Sequence, residues 1–219
     1  MTAAIVDPAA WDAYYEKDQV PAFMKRRLLR HFTDAIAEHV PRGKNLVFCE
    51  LGGGNSFLYP ELIRRYDVAE YHVIDNNEAG LDLFRRHADS RNGIAHHADI
   101  LRMDPCPCSA DVTLSAGLVE HFDAEGTKRC LERHAALTKP GGTVILSFPF
   151  GSGLYWGFRG LLTLVGLWPP FYERPLTEAE VAKTLSRSGS ILHVRSIWSI
   201  LLTQKLMVVR RGDESVAPS

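Results

Sequence analysis

The sequence predicts an α/β protein built on a single, mostly parallel sheet. Three observations carry this. Short apolar runs alternate with amphipathic segments between Asn45 and Phe148, a triple-glycine turn follows the first of those runs, and two β-patterned runs close the chain with no room for a helix between them. The 219 residues, 46% hydrophobic and 23% charged, suit one domain with an elaboration and exclude a wholly disordered, collagenous or coiled-coil chain.

The elements follow in order. Two helical segments open the chain, Pro8 to Asp18 and Pro21 to His39. In the second, Met24, Leu28, Phe32 and Ile36 recur at helical spacing and Pro21 suits the first turn. Residues 1–40 read as a helical N-terminal cap, 41–211 as the core and 212–219 as a flexible polar tail, in one domain overall. Leu46 to Cys49 is a continuous apolar run ended by Gly52-Gly53-Gly54, the pattern of a strand buried on both faces. A helix from Ser56 to Tyr66 follows. The alternation continues with strand Tyr71 to Ile74, helix Glu78 to Ala88, strands Gly93 to His97 and Val112 to Ser115, helix Ala124 to Leu137 and strand Thr143 to Phe148. From Gly151 to Arg174 glycines and aromatics break the rhythm, so 151–175 reads as a lid insertion over a site. Thr177 and Glu180 then form a capping box for another helix. Leu192 to Ile197 and Leu206 to Val209 are too close for a crossover helix and are expected to be antiparallel.

Lys and Arg total 25 against 26 Asp and Glu, so no global field recruits nucleic acid, although Lys25, Arg26, Arg27 and Arg30 form a local basic face. Met1 to Ala13 lacks a basic n-region, and the most apolar stretch, Gly160 to Trp168, is far shorter than the roughly 20 residues of a membrane span. A cytoplasmic protein is expected, with no membrane span. Of the 4 cysteines only Cys106 and Cys108 are close in sequence, without a second pair at zinc spacing. They read as two free thiols in a loop. His96-His97 has no third ligand in register and reads as surface or core-edge, so no metal is expected.

The stretch that carries chemistry is Glu50-Leu51-Gly52-Gly53-Gly54-Asn55-Ser56, a glycine turn between a buried strand and a helix. Glycines there let a backbone approach a ligand closely, and the helix start beyond offers unpaired N–H groups. A dinucleotide would need a third glycine where Phe57 stands. S-adenosylmethionine carries an ammonium, a sulfonium and a carboxylate, and a site for it benefits from an acid at the turn, such as Glu50. Asp75 lies about 25 residues further on, at the tip of the second strand, where an acid can take both hydroxyls of a ribose. Asp99 follows the third strand, where an adenine amino group needs an acceptor.

These residues resemble a class I S-adenosylmethionine-dependent methyltransferase over about Asn45 to Pro149. Glu50-Leu51-Gly52-Gly53-Gly54 resembles the family's first motif, with Ser56 in place of the glycine that often closes it. Asp99-Ile100 resembles the adenine-binding pair, Asp111 to Phe122 the fourth strand with its loop, and Leu137 to Gly142 the turn into strand five. The resemblance implies a Rossmann-like seven-stranded sheet with one antiparallel strand. It implies cofactor contacts from Glu50, Gly52, Gly53, Gly54, Asp75, Asn76, Asp99, Ile100 and Ser115. His121 is the candidate general base by position, with a structural or methionine-positioning role as the alternative. Aromatic covers before and after the core, Trp11, Tyr14, Tyr15, Tyr155, Trp156 and Trp168, are candidate contacts for a planar acceptor. Trp168-Pro169-Pro170-Phe171 resembles the loop of amino-methyltransferases, but Trp168 stands where an amide or acid belongs and the segment follows strand five, not four.

The expected activity is methyl transfer to nitrogen or oxygen of a small, planar or heteroaromatic metabolite of secondary metabolism, with similarity to azapteridine N-methyltransferases of the toxoflavin type. The alternatives are a non-catalytic S-adenosylmethionine-binding regulator or scaffold, an RNA methyltransferase and an NAD-dependent oxidoreductase. The expected partner is the small-molecule substrate, without nucleic acid, for a monomer or homodimer.

Overall fold

The computed structural model describes residues 11, 12, 15, 22–164, 173–199 and 202–213. Most of the expected first helix, Tyr14, the segment from Trp168 to Phe171 and the chain beyond 213 lie outside these residues. The strands are β1 (Leu46–Leu51), β2 (Val68–Asp75), β3 (Gly93–His97), β4 (Ala110–Ala116), β5 (Thr138–Pro149), β6 (Gly189–Ser199) and β7 (Leu202–Arg211). The helices are α1 (Ala22–His39), α2 (Tyr59–Arg65), α3 (Glu78–His87), α4 (Ala124–Leu137), α5 (Gly153–Leu164) and α6 (Glu178–Leu185), with a 3₁₀ turn at Val119–His121.

One seven-stranded sheet has the order β3-β2-β1-β4-β5-β7-β6. The first five strands run parallel, and β7 is reversed between β5 and β6. The order turns back between β1 and β4, and in open α/β sheets the crevice at such a switch point is where ligands bind. Period-two alternation divides the strand residues between two cores. On one face Phe32, Ala35 and Ile36 of α1 pack with Phe48, Val112, Ile145 and Val208. On the other, Leu131 of α4 and Val181 and Leu185 of α6 pack with Cys49, Val144, Leu146 and Met207. The C-terminal half of α1 is thus a layer of the core. Its last turn is tied to the sheet where Arg210 donates to the carbonyls of His39 and Gly141.

Local chemistry departs from the sequence pattern at three places. Helix α2 has seven residues and begins three later than expected, because the Ser56 hydroxyl accepts from Tyr59 N and holds the chain in a turn. The glycine turn after α4 survives as a bulge inside β5: the register jumps from Ala110↔Thr138 to Val112↔Thr143, and Gly141 takes a φ of 72°. The capping box of α6 is half formed. Thr177 accepts from Glu180 N, but the Glu180 carboxylate turns to Arg174 at 2.7 Å.

Phe32 is fully buried between α1 and the sheet. Phe32→Ala is expected to cost about 3–5 kcal/mol of stability, read as a lowered denaturant midpoint with an unchanged m-value.

Candidate functional site

The turn after β1 is shaped by backbone that only glycine adopts readily: Gly52 has φ 65° and Gly54 φ 40°. There is no room for a side chain either. A Cβ on Gly52 would lie 2.6 Å from Leu118 Cδ1, and one on Gly53 would lie 2.9 Å from the Glu50 carboxyl carbon. Glu50 therefore sits inside the turn, not on its rim. Its Oε2 accepts from the Tyr71 hydroxyl at 2.6 Å and from the Ser56 hydroxyl. Burial pushes its carboxyl up from the ordinary value, and these two hydrogen bonds pull the other way. The contacts the structure gives Glu50 are those of an internal brace, not those of an acid offered to a ligand's ammonium.

Asp75 is at the other side of the turn. Its Oδ2 accepts from Gly54 N at 2.8 Å and its Oδ1 from Asn77 N at 2.9 Å, so the tip of β2 is tied to the glycine turn through one carboxylate. Burial raises this carboxyl too, against backbone hydrogen bonds that lower it. A further contact reaches it from the N-terminal segment. The Tyr15 hydroxyl stands 3.4 Å from Asp75 Oδ2, and its ring lies over Gly54, where an added Cβ would come within 2.0 Å of the hydroxyl. Asp12 Oδ1 accepts from Asn77 Nδ2 at 2.6 Å, and the Asn77 side chain in turn caps α3 by accepting from Gly80 N at 2.7 Å.

The remaining expected contacts divide. Asn76 is exposed beside Asp75, and its carbonyl accepts from a His97 ring nitrogen at 3.1 Å. Asp99 is half exposed, pairs with Arg102 at 3.3 Å and accepts from Leu101 N, the contacts of a turn residue, while Ile100 is buried in the core. Ser115 is a correction. Its hydroxyl is fully buried on the α4 face, 2.8 Å from His134 Nε2, because the alternation along β4 turns it away from the crevice. His134 Nδ1 lies 2.7 Å from the Cys130 carbonyl, which can only accept, so Nδ1 carries the hydrogen and Nε2 accepts from Ser115.

His121 ends the 3₁₀ turn after β4, and the Trp11 ring meets its imidazole edge-on, with centroids 5.0 Å apart and planes at 87°. Trp11 thus reaches the β4 side of the crevice and Tyr15 the Asp75 side, with the two rings 6.3 Å apart and tilted by 32°. Tyr155 is buried with its hydroxyl on Glu173 at 2.6 Å, while Trp156 is half exposed under Arg159. Neither has a described contact with the glycine turn. Next to His121, Glu120 is buried with no hydrogen-bond partner for Oε2 among the described residues, and burial followed by the nearby Glu173 pushes its carboxyl well up, which favours the neutral acid.

Sequence reasoning missed Tyr71 and Asn77. Asn77 had a local signal, an Asn directly before an acidic first turn, whereas Tyr71 had none. His96, read as surface or core-edge, pairs with His72 across β2 and β3 at 2.8 Å. The four cysteines are all free, Cys106 and Cys108 half buried.

Residues 48–142 match a family model described as a methyltransferase domain. No curated protein matches the sequence. Among solved structures, the fold is similar to magnesium protoporphyrin IX methyltransferase from Synechocystis with bound S-adenosylhomocysteine, at 17% identity and TM-score 0.71, covering 93% of this chain and 94% of that one. It is similar to a complex of the Haloferax volcanii Trm112 methyltransferase activator with its putative methyltransferase, at 14% identity and TM-score 0.74, covering 98% and 100%. An O-methyltransferase family protein from Burkholderia thailandensis aligns at 15% identity and TM-score 0.66, covering 88% and 59%. At these identities the likeness establishes the fold.

Asp75→Ala is expected to weaken S-adenosylmethionine binding by roughly 1.5–3 kcal/mol, the worth of a charge-assisted contact, in a calorimetric titration; unchanged affinity would remove Asp75 from the ribose. Tyr15→Phe is expected to tighten binding, since it removes a competing hydroxyl from Asp75 Oδ2. In the same titration repeated against pH, affinity is expected to be lost on acidification with a midpoint above the ordinary aspartate value of 3.8, because a raised carboxyl takes its proton earlier and then accepts fewer hydrogen bonds.

Proposed function

We propose that this chain, which has the fold of the class I S-adenosylmethionine-dependent methyltransferases and a methyltransferase-domain segment, is such an enzyme and methylates a nitrogen or oxygen of a small planar, heteroaromatic metabolite. The residues at the crevice fit the cofactor. Gly52 and Gly54 hold the turn at positive φ, and Asp75 presents a carboxylate whose bond to Tyr15, at 3.4 Å, is long enough to give way to a ribose hydroxyl. When bound, the cofactor supplies an electrophilic methyl carbon on sulfur.

The chain's part is to hold the acceptor in line, keep water out and take up a proton. The glycine turn and Asp75 fix one side of the crevice. On the other side His121 is the proposed proton acceptor, and Trp11 offers a ring face or edge to a flat guest. The single observation that carries the choice of acceptor is this Trp11–His121 pair, an aromatic surface set against a titratable ring at the end of β4. Further support comes from the Synechocystis enzyme, named for magnesium protoporphyrin IX, and from the O-methyltransferase family protein of B. thailandensis. A role in secondary metabolism is part of the same proposal.

Methyl transfer from labelled S-adenosylmethionine to a panel of planar N- and O-nucleophiles tests the reading. Labelling of RNA with none of the panel labelled would overturn it. With a reactive acceptor in hand, Trp11→Ala is expected to raise acceptor KM about tenfold, a loss of roughly 1.4 kcal/mol, with cofactor affinity nearly unchanged. His121→Ala is expected to lower kcat at neutral pH by 10²-fold or more, on the order of a lost general base. An unchanged kcat would assign His121 to positioning.

A further inference from the structure

At the end of the sheet that carries the crevice, the surface combines two features that a water-facing rim does not need. The first is apolar. Helix α5 carries a single charge, Arg159, along Gly153–Leu164. Leu161 and Leu164, three apart and so on one side of the helix, are both exposed, Leu164 by 86%. Side chains built on Gly153, Gly157 or Gly160 would meet nothing within 4 Å, so that side of α5 is open among the described residues. Trp198 near the end of β6 is more than half exposed and pairs in register with Thr203, whose hydroxyl bonds Ser152 at the start of α5. The hairpin end and α5 are therefore neighbours.

The second feature is cationic. The last turn of α1 is tied to the far end of the sheet through Arg210, and 18 residues at about 1.5 Å each make a rod of about 27 Å. The first turns of α1 consequently reach the crevice end, where Leu28 and Leu29 pack in the same core as Ile197, next to Trp198. Those turns carry Lys25, Arg26, Arg27 and Arg30 with no acid before Asp34. Arg26, Arg27 and Arg30 are exposed and form no ion pair among the described residues, and Phe23 beside them is more than half exposed.

We propose that this end of the protein docks on an anionic lipid bilayer. Leu161, Leu164, Trp198 and Phe23 enter the boundary between headgroups and acyl chains, and Arg26, Arg27 and Arg30 meet the lipid phosphates. Tryptophan suits that depth because its ring is apolar and its N–H is polar. Among the described residues no helix is long and apolar enough to cross a membrane, so the association is peripheral. The basic face alone would equally suit RNA, but exposed leucines gain nothing from phosphates or sugars, and they lie at the same end. A single myristoyl-like apolar contact binds bilayers weakly and reversibly, whereas apolar contact with a basic patch binds stably. The crevice then opens toward the bilayer, and a lipophilic acceptor would reach it without crossing water.

Vesicle co-sedimentation of the full chain tests this without turnover, so it stands or falls separately from the methyl acceptor. Binding is expected to phosphatidylcholine vesicles containing phosphatidylglycerol, to be weak on phosphatidylcholine alone and to fall with added salt. Leu161→Asp with Leu164→Asp is expected to abolish binding. Arg26→Ala with Arg27→Ala is expected to reduce it at least tenfold, from about fivefold for each cation near the surface. Both pairs of sites are exposed, and unchanged circular dichroism and melting confirm folding. Three results would overturn the proposal: no binding to anionic vesicles, binding that ignores the leucine variants while homopolymeric RNA is bound through the arginines, or a dimer in solution that the leucine variants dissociate.

Discussion

Everything at the crevice depends on a carboxylate that no ligand need touch. Glu50 lies under Gly53 and is held by the hydroxyls of Ser56 and Tyr71, so the turn, the start of α2 and the middle of β2 are fixed to one buried group. Leaving such hydroxyls without an acceptor would cost about 1–3 kcal/mol each. A turn with two glycines at positive φ would otherwise be a loose element, because glycine loses the most backbone freedom on ordering. The brace converts that looseness into a defined cradle, and Asp75, bonded to Gly54 N, closes it from the neighbouring strand.

Order at the crevice is inherited from the sheet. Strands β1 and β4 pair side by side at the point where the strand order reverses, and the two cores press on them from opposite faces. Tyr15 then reaches the Asp75 side and Trp11 the His121 side, with their rings 6.3 Å apart. A short stretch of chain thereby touches both sides of the crevice.

Much of this was legible in the sequence, and the failures share a cause. The alternation of apolar runs and amphipathic helices, the glycine turn, Asp75 and the reversed strand are local patterns, each set by period or by turn chemistry. Helices Glu78 to Ala88 and Ala124 to Leu137 come within a residue of α3 and α4 because both have side-chain N-caps, Asn77 and Asp123. The brace role of Glu50 was not legible, since its partner Tyr71 is 21 residues away and belongs to the next strand. Ser115 was misplaced because its face depends on register, and a shift of one residue reverses every side chain. Gly141-Gly142 reads as a turn by composition, yet long-range pairing with β4 makes it a bulge within β5.

The Ser115–His134 bond reaches beyond packing. His134 is wholly buried, and burial, the larger influence, lowers its ring to about 4 despite the Cys130 carbonyl. Released into water the same ring would bind a proton near 6.5. Between those two values the unfolded chain holds one more proton than the folded one, so stability is complete above about 6.5 and is drained as the pH falls toward 4. The drain amounts to about 3 kcal/mol at full extent, a large share of the margin of an ordinary domain. A hydrogen bond that fastens α4 to the central strand at neutral pH thus sets an acid limit on the whole molecule, one imposed from the core and not from the crevice.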